Sequence, residues 1–177
     1  RPHNLISPSP GRGFEIFTSN NGIRVGVLNL MGNVFMKKSN DVFDSAKKFL
    51  QKNSLTKDYD ILILDFHGET TSEKMAIGHF FDGRATLVIG THTHVPTNDA
   101  RILEKGTAYQ TDAGMSGNYN SVIGMNKNIS IKRFLKEDRE KNLPTPGNIS
   151  LCGVIVEADL KTGLAKKIES FIYGGEL

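Results

Sequence analysis

Apolar and polar positions along the chain alternate or cluster in blocks that predict an ordered series of strands and helices. Residues 13–19 and 23–30 are alternating or apolar runs on either side of Asn20-Asn21-Gly22. Asn and Gly tolerate positive φ, so Asn-Gly between two such runs predicts a hairpin. Residues 31–40 read as a loop. From Asp41 to Lys52 the residues Val42, Phe43, Ala46, Phe49 and Leu50 recur at helical spacing, with Asn40 or Asp41 placed to cap. Residues 60–66 are almost continuously apolar after Asp60, the mark of a strand covered on both faces. Residues 70–81 read as a helix and 85–89 as the next strand. Strand, helix, strand in that order predicts a right-handed βαβ unit with a parallel pair.

Two short strands follow, at 101–103 and 107–111, joined across Glu104-Lys105-Gly106. Gly114 to Gly124 is rich in Gly, Ser and Asn and reads as a long loop. A helix is expected over 129–138. A second hairpin is expected from strands 149–160 and 164–173 around Lys161-Thr162-Gly163. The fold class is α/β, with a parallel centre and antiparallel strands contributed by hairpins. No internal repeat or domain boundary is visible, and 177 residues suit a single domain spanning 1–177 with a sizeable core.

Composition narrows the function classes. The net charge of +3 is too mild to imply stable nucleic-acid binding. The basic stretch from Lys127 to Lys141 contains Lys132, Arg133, Lys136 and Arg139, but Glu137, Asp138 and Glu140 interrupt it. It reads as a solvated helix face in preference to a phosphate-attracting one. Cys152 is the single cysteine, so no intrachain disulfide can form. It falls in a strand, where a small buried apolar residue is expected, and a cytoplasmic setting fits. No apolar run approaches a membrane span, and no signal peptide is visible. The first residue is Arg1, which fits a processed product, an engineered boundary or a fragment of a longer gene.

The candidate chemistry lies at two strand ends. Residues 60–66 run straight into His67-Gly68-Glu69, and residues 85–89 run into Gly90-Thr91-His92-Thr93-His94. Imidazoles projected from the carboxyl ends of adjacent parallel strands can converge on one point, where open α/β sheets place their sites. Neutral imidazole is a common ligand for divalent transition metals. His67, His92 and His94 are therefore the candidate metal ligands. The spacing leaves open whether His92 and His94 share an ion or serve different ions. Asp65 and Glu69 flank His67, and either can orient a ligand imidazole through its second nitrogen. Asp65 reads equally well as a capping or solvent-facing residue. His3 and His79 lack this context. His79 sits in a predicted helix beside Phe80 and Phe81, where a packing or capping role is expected. The segment 112–117, with Asp112 and Gly114, either lines the same cleft and offers backbone N–H groups to a phosphate or is an ordinary surface loop. There is no His-Glu-x-x-His, Gly-x-Ser-x-Gly or P-loop signature.

Four segments carry a family resemblance. They are Phe66-His67-Gly68-Glu69-x-Thr71-Ser72-Glu73-Lys74, Asp82-Gly83-Arg84-Ala85, Gly90-Thr91-His92-Thr93-His94-Val95-x-Thr97, and Thr111-Asp112-x-Gly114-Met115-x-Gly117. Together, and in order from Arg1-Pro2-x-Asn4 to the terminal strand, they resemble the bacterial YmdB-type metallophosphoesterases of the calcineurin-like superfamily. That resemblance implies a sandwich of two sheets flanked by helices, with the site at strand ends. It implies hydrolysis of 2′,3′-cyclic nucleotides or related phosphoesters by activation of water at two divalent metal ions (iron, manganese or zinc). His67 and His92 would ligate one ion and His94 the other. Asp65, Glu69, Thr93, Asp112 and Gly114 would orient those ligands or meet substrate. A homo-oligomer is compatible with it.

The resemblance covers the C-terminal two-thirds of the family pattern. The N-terminal strands and helices, an Asp ligand, a Gly-Glu-Asn segment and a Gly-Asn-His segment with the general-acid His would all lie upstream of Arg1. Two readings follow. One is a phosphodiesterase in its complete form. The other is a truncated, non-catalytic remnant, or a module dependent on a partner, that retains three metal-binding histidines.

Overall fold

The computed structural model describes residues 1–6, 10–137 and 140–175. Strands β1 (Phe14–Thr18) and β2 (Arg24–Met31) form the first hairpin, with Gly22 at φ +80° in the turn. Helix α1 (Val42–Lys52) begins at Asp41, whose carboxylate accepts from the Asp44 N–H at 2.7 Å. That bond satisfies one of the orphan donors of the first turn. Strand β3 (Ile61–His67), helix α2 (Thr71–Phe81) and strand β4 (Leu87–Thr91) make the expected βαβ unit, with β3 and β4 parallel. Strands β5 (Arg101–Ile102) and β6 (Ala108–Gln110) complete a six-stranded sheet in the order β1-β2-β3-β4-β6-β5. β2, β3, β4 and β6 are parallel, and β1 and β5 run antiparallel at the edges.

Both faces of this sheet are covered. Leu62, Leu64 and Phe66 of β3 join Val42 and Phe49 of α1 and Ile77 of α2 in the main core. On the other face, Leu87, Ile89 and Ala108 pack against Val154, Val156 and Ile168. Those residues come from the second hairpin, β7 (Leu151–Ala158) and β8 (Ala165–Tyr173), which forms its own two-stranded antiparallel sheet. Coverage of both faces explains why β3 and β4 read as continuous apolar runs instead of alternating ones.

Helix α3 covers Lys127–Phe134 and is shorter than expected. Lys136 adopts φ +61°, which is incompatible with continuing a right-handed helix. Asp138 and Arg139 of the predicted helix and basic stretch lie outside the described residues. Lys132, Arg133 and Lys136 are exposed, as a solvated face requires. Among the described residues, no helix is long and apolar enough to cross a membrane.

Two smaller expectations need correction. Cys152 is half-buried at the start of β7, on the face that carries Val154 and Val156, with its sulfur 3.2 Å from the Tyr119 hydroxyl. His79 is exposed on α2 and packs into no core. The buried stripe of that helix runs through Glu73, Lys74, Ile77, Gly78 and Phe81, which turns position 79 to solvent. Its place in the last turn suits a basic residue at the negative end of the helix dipole.

Candidate metal centre

The parallel register brings the strand-end residues into rows. Asn29, Asp65 and Ile89 are partners across β2, β3 and β4, as are Met31, His67 and Thr91 two residues later. His92 follows Thr91 at φ +134°, a rare conformation for a non-glycine residue, and this bends its ring back over the end of β3. The rings of His67 and His92 meet edge to face with centroids 4.9 Å apart. His67 Nε2 lies 3.1 Å from His92 Nδ1.

The partners of the other two ring nitrogens define the tautomers. Asn29 Nδ2 donates to Asp65 Oδ2 at 2.7 Å, and Thr91 Oγ1 donates to Asp65 Oδ1 at 3.0 Å. The Thr91 proton is thus committed, and its oxygen accepts from His67 Nδ1–H at 3.0 Å. On the other side, His92 Nε2–H donates to Glu69 Oε2 at 2.7 Å. A neutral imidazole with one nitrogen donating has its lone pair on the other. With Thr91 donating to Asp65 and His92 donating to Glu69, the two nitrogens that face each other would both present lone pairs. Burial, and then the neighbouring His92, hold the His67 pKa below its ordinary value, which favours the neutral, ligating form.

Facing lone pairs repel each other unless a cation lies between them. Two nitrogens each about 2.0–2.1 Å from one ion are about 2.9–3.4 Å apart, depending on the coordination angle. The observed 3.1 Å falls in that interval. The donor set fits a divalent transition metal, with the outer nitrogens held as in other histidine-ligated sites. The pair alone is not a full ligand set. Among the described residues, no group of three or more His, Cys, Asp or Glu side chains is placed to hold an ion. His94, at φ +65°, donates from Nδ1 to the Ile123 carbonyl at 2.9 Å, which leaves Nε2 as its lone-pair nitrogen.

The turn that carries these histidines has a rigid support. Asp112 is fully buried and pairs with buried Lys74 at 2.7 Å. The same carboxylate accepts from the Thr93 N–H at 2.9 Å, between His92 and His94, and from the Gly114 N–H at 2.9 Å. The segment 112–117 therefore does lie beside the histidine turn. Most of its N–H groups are engaged inside the protein, however: Asp112 to the Thr97 hydroxyl, Ala113 to the Gly90 carbonyl, Gly114 to Asp112, Met115 to the Tyr119 hydroxyl, and Gly117 to the Ser150 carbonyl. Asp112 and Gly114 act here as scaffold, and these donors are not free to cradle a phosphate. The Thr93 hydroxyl donates to the Val95 carbonyl within the same turn.

The sequence offered Asp65 and Glu69, which flank His67, as partners of an imidazole; Glu69 accepts from His92 instead of from its neighbour His67. Asp65 reaches His67 only through Thr91, a relay that was missed along with Asn29 and Lys74. The signal for Asn29 was present: a lone amide inside an apolar strand must find a partner when buried. Sequence reasoning also passed over the loop after β2. Phe35, Met36 and Lys37 line a cleft of about 500 Å³ together with Met31, His67 and His92.

The family model described as YmdB-like protein matches residues 1–171. The chain belongs to the YmdB-like family. It is similar to the 2′,3′-cyclic-nucleotide 2′-phosphodiesterase of Bacillus subtilis (strain 168), with 41% identity over 97% of this chain and 64% of that protein. It is also similar to a putative phosphatase/phosphodiesterase of Mycoplasma genitalium, with 43% identity over 96% of this chain and 61% of that protein. Among solved structures, a hypothetical protein from Thermus thermophilus superposes with a TM-score of 0.89 at 35% identity, covering 99% of this chain and 67% of that one. A structure titled as a novel phosphatase from Mycoplasma pneumoniae gives 0.87 at 38% identity, covering 98% and 63%. The chain spans less than two-thirds of the length of the curated relatives it matches.

Proposed function

We propose that this chain is the histidine-bearing part of a metal-dependent phosphodiesterase. In the complete protein it acts on 2′,3′-cyclic nucleotides or related phosphoesters, within a two-sheet calcineurin-like sandwich to which upstream strands contribute. The observation that carries the reading is the 3.1 Å approach of two imidazole nitrogens whose other nitrogens are both committed as donors. The names of the relatives support phosphoester chemistry.

His67 and His92 would hold one divalent ion (iron, manganese or zinc), and His94 a second through Nε2. Such ions supply Lewis acidity toward phosphoryl oxygens and a nucleophilic water at neutral pH. The protein's own residues keep the ligands in place. Glu69 holds the His92 ring in its Nε2–H tautomer, and Asn29, Asp65 and Thr91 hold His67 in its Nδ1–H tautomer. The Lys74–Asp112 pair fixes the Thr93 backbone and with it the spacing of His92 and His94. The alternative of a non-catalytic remnant draws no support from this network, which is fully paired up to the two facing nitrogens.

The test is an assay of the complete protein on 2′,3′-cyclic AMP and bis-p-nitrophenyl phosphate, before and after chelation and with iron, manganese or zinc restored. The expected result is turnover that vanishes on chelation and returns with metal. Turnover that survives full metal removal, or none on either substrate with any of the three metals, overturns the reading.

A further inference from the structure

The loop between β2 and α1 displays an aromatic ring that neither the core nor the histidine network uses. Phe35 is 87% exposed and sits at φ +58°, in the left-handed region that bulky side chains avoid. Exposure alone would not single this ring out, since Phe134 is exposed to a similar degree; the left-handed backbone and the place beside the histidines do.

The loop is not slack. The Asn33 and Val34 N–H groups donate to the buried Glu73 carboxylate at 2.9 and 3.4 Å. The Asn33 side chain accepts from the Val42 N–H and donates to Ser39 Oγ, at 2.9 and 3.0 Å. Gly32, just before this turn, has no room for a Cβ, which would lie 2.3 Å from Glu73 Oε2. The backbone beside Phe35 is thus pinned to both α1 and α2. Phe35 lines the same cleft as His67 and His92.

The lining of the cleft combines two chemistries. His67 and His92 supply imidazole nitrogens, while Phe35 and Met36, with Pro2, Leu5 and Met31, supply apolar surface, and Lys37 supplies a cation. A volume of about 500 Å³ suits one small ligand. A phosphoester held at the imidazoles leaves the apolar lining for the rest of the molecule. A sugar alone would waste an aromatic ring and a thioether, whereas a planar base uses both.

We infer that Phe35 is the stacking platform for the nucleobase of a nucleoside phosphate, with Lys37 facing the substrate's negative charge. The inference rests on the phosphodiesterase reading and adds to it the residue that receives the base. Base stacking on an aromatic side chain is sequence-tolerant, so the platform selects for a base without selecting strongly among bases.

The experiment uses the complete metal-loaded protein, as wild type, Phe35→Ala and Phe35→Trp. Steady-state kinetics are compared on 2′,3′-cyclic AMP and on propane-1,2-diol cyclic phosphate, a cyclic phosphodiester with no base. Phe35→Ala is expected to lower the ratio of kcat/KM for the nucleotide over the base-free ester by about tenfold to a hundredfold, chiefly through KM, and Phe35→Trp to preserve it. An equal loss on both substrates, or no loss on the nucleotide, overturns the platform while leaving phosphodiesterase activity standing. A wild type that hydrolyses neither overturns the activity instead. An NMR titration with adenosine 3′-monophosphate then decides the platform by itself. Upfield ring-current shifts of the adenine protons that Phe35→Ala abolishes support it, and binding without such shifts, or no binding, contradicts it.

Discussion

His67 and His92 are held by a sheet, and His94 is held by a loop. His67 ends β3 in fixed register and His92 follows the last paired residue of β4; both are backed by Asn29, Asp65, Thr91 and Glu69, and the core beneath them is buried. His94 leans on the Ile123 carbonyl, in a region where α3 buries only Ser130 and exposes Ile131 and Phe134. Ile123 itself is at φ +49°, unusual for a β-branched residue. Parallel pairing therefore sets the ångström-scale geometry of the imidazole pair. Side-chain-to-carbonyl hydrogen bonds set that of the third histidine, with far fewer packed neighbours to restrain it. Local opening is expected first in the second region.

The sharpest way to break the sheet-held region is Gly90→Ala. A Cβ there would stand 1.7 Å from the Thr111 carbonyl oxygen, which is backbone and cannot move aside. Loss of about 4 kcal/mol or more is expected in urea denaturation, large because strain and lost pairing combine. A cost under about 1 kcal/mol would show that β4 and the segment after β6 are not locked together.

Next in size is Lys74→Met. It leaves the Asp112 carboxylate buried without its cation, for an expected cost of about 3–5 kcal/mol. Adding Asp112→Asn to that variant should recover part of the loss, because the uncompensated charge is gone. A double mutant less stable than Lys74→Met would contradict the buried-charge explanation.

A smaller effect tests the polar lock on the segment that follows β4. Burial pushes the Asp99 carboxyl up, but hydrogen bonds from Thr111 and Thr97 outweigh it and hold its pKa below the ordinary value. A carboxyl depressed in the folded state contributes stability that is full above its unfolded pKa, about 3.9, and is lost as pH falls through the folded value. The urea midpoint of wild type should therefore exceed that of Asp99→Asn at pH 7, with the gap closing below about pH 4. A gap that persists at about pH 2.5 would assign the effect to packing.

The smallest expected change is at α3. Phe134 is 85% exposed, and Phe134→Ala should shift stability by no more than about 0.5 kcal/mol. A loss several times larger would mean that the loop-held region carries a core of its own, and the contrast with the sheet would fall.

Much of the sheet-held half was legible in the sequence. Apolar runs ending in histidine marked β3 and β4, their order implied parallel pairing, and the Asp41 cap marked the start of α1. The convergence of His67 and His92 followed from those elements. What was hidden depended on registry and depth. Thr91 relays Asp65 to His67 because it is the cross-strand partner of His67, a pairing that no local pattern reveals. Lys74 lies on the buried face of α2, where spacing alone would place an apolar residue. The Gly-rich segment after Asp112 signalled flexibility, yet the Ala113, Gly114, Met115 and Gly117 N–H groups are all spent on the protein. Composition reports what a backbone can do, and tertiary partners decide what it does.

The central proposal is that His67 Nε2 and His92 Nδ1 would together hold one metal ion. Crystals of the complete protein grown with manganese, with data collected at the manganese absorption edge, test it directly. The expected result is an anomalous peak about 2.0–2.3 Å from both His67 Nε2 and His92 Nδ1, lost in His92→Ala. A manganese-loaded crystal with no peak between those nitrogens, and a hydrogen bond in its place, would contradict it.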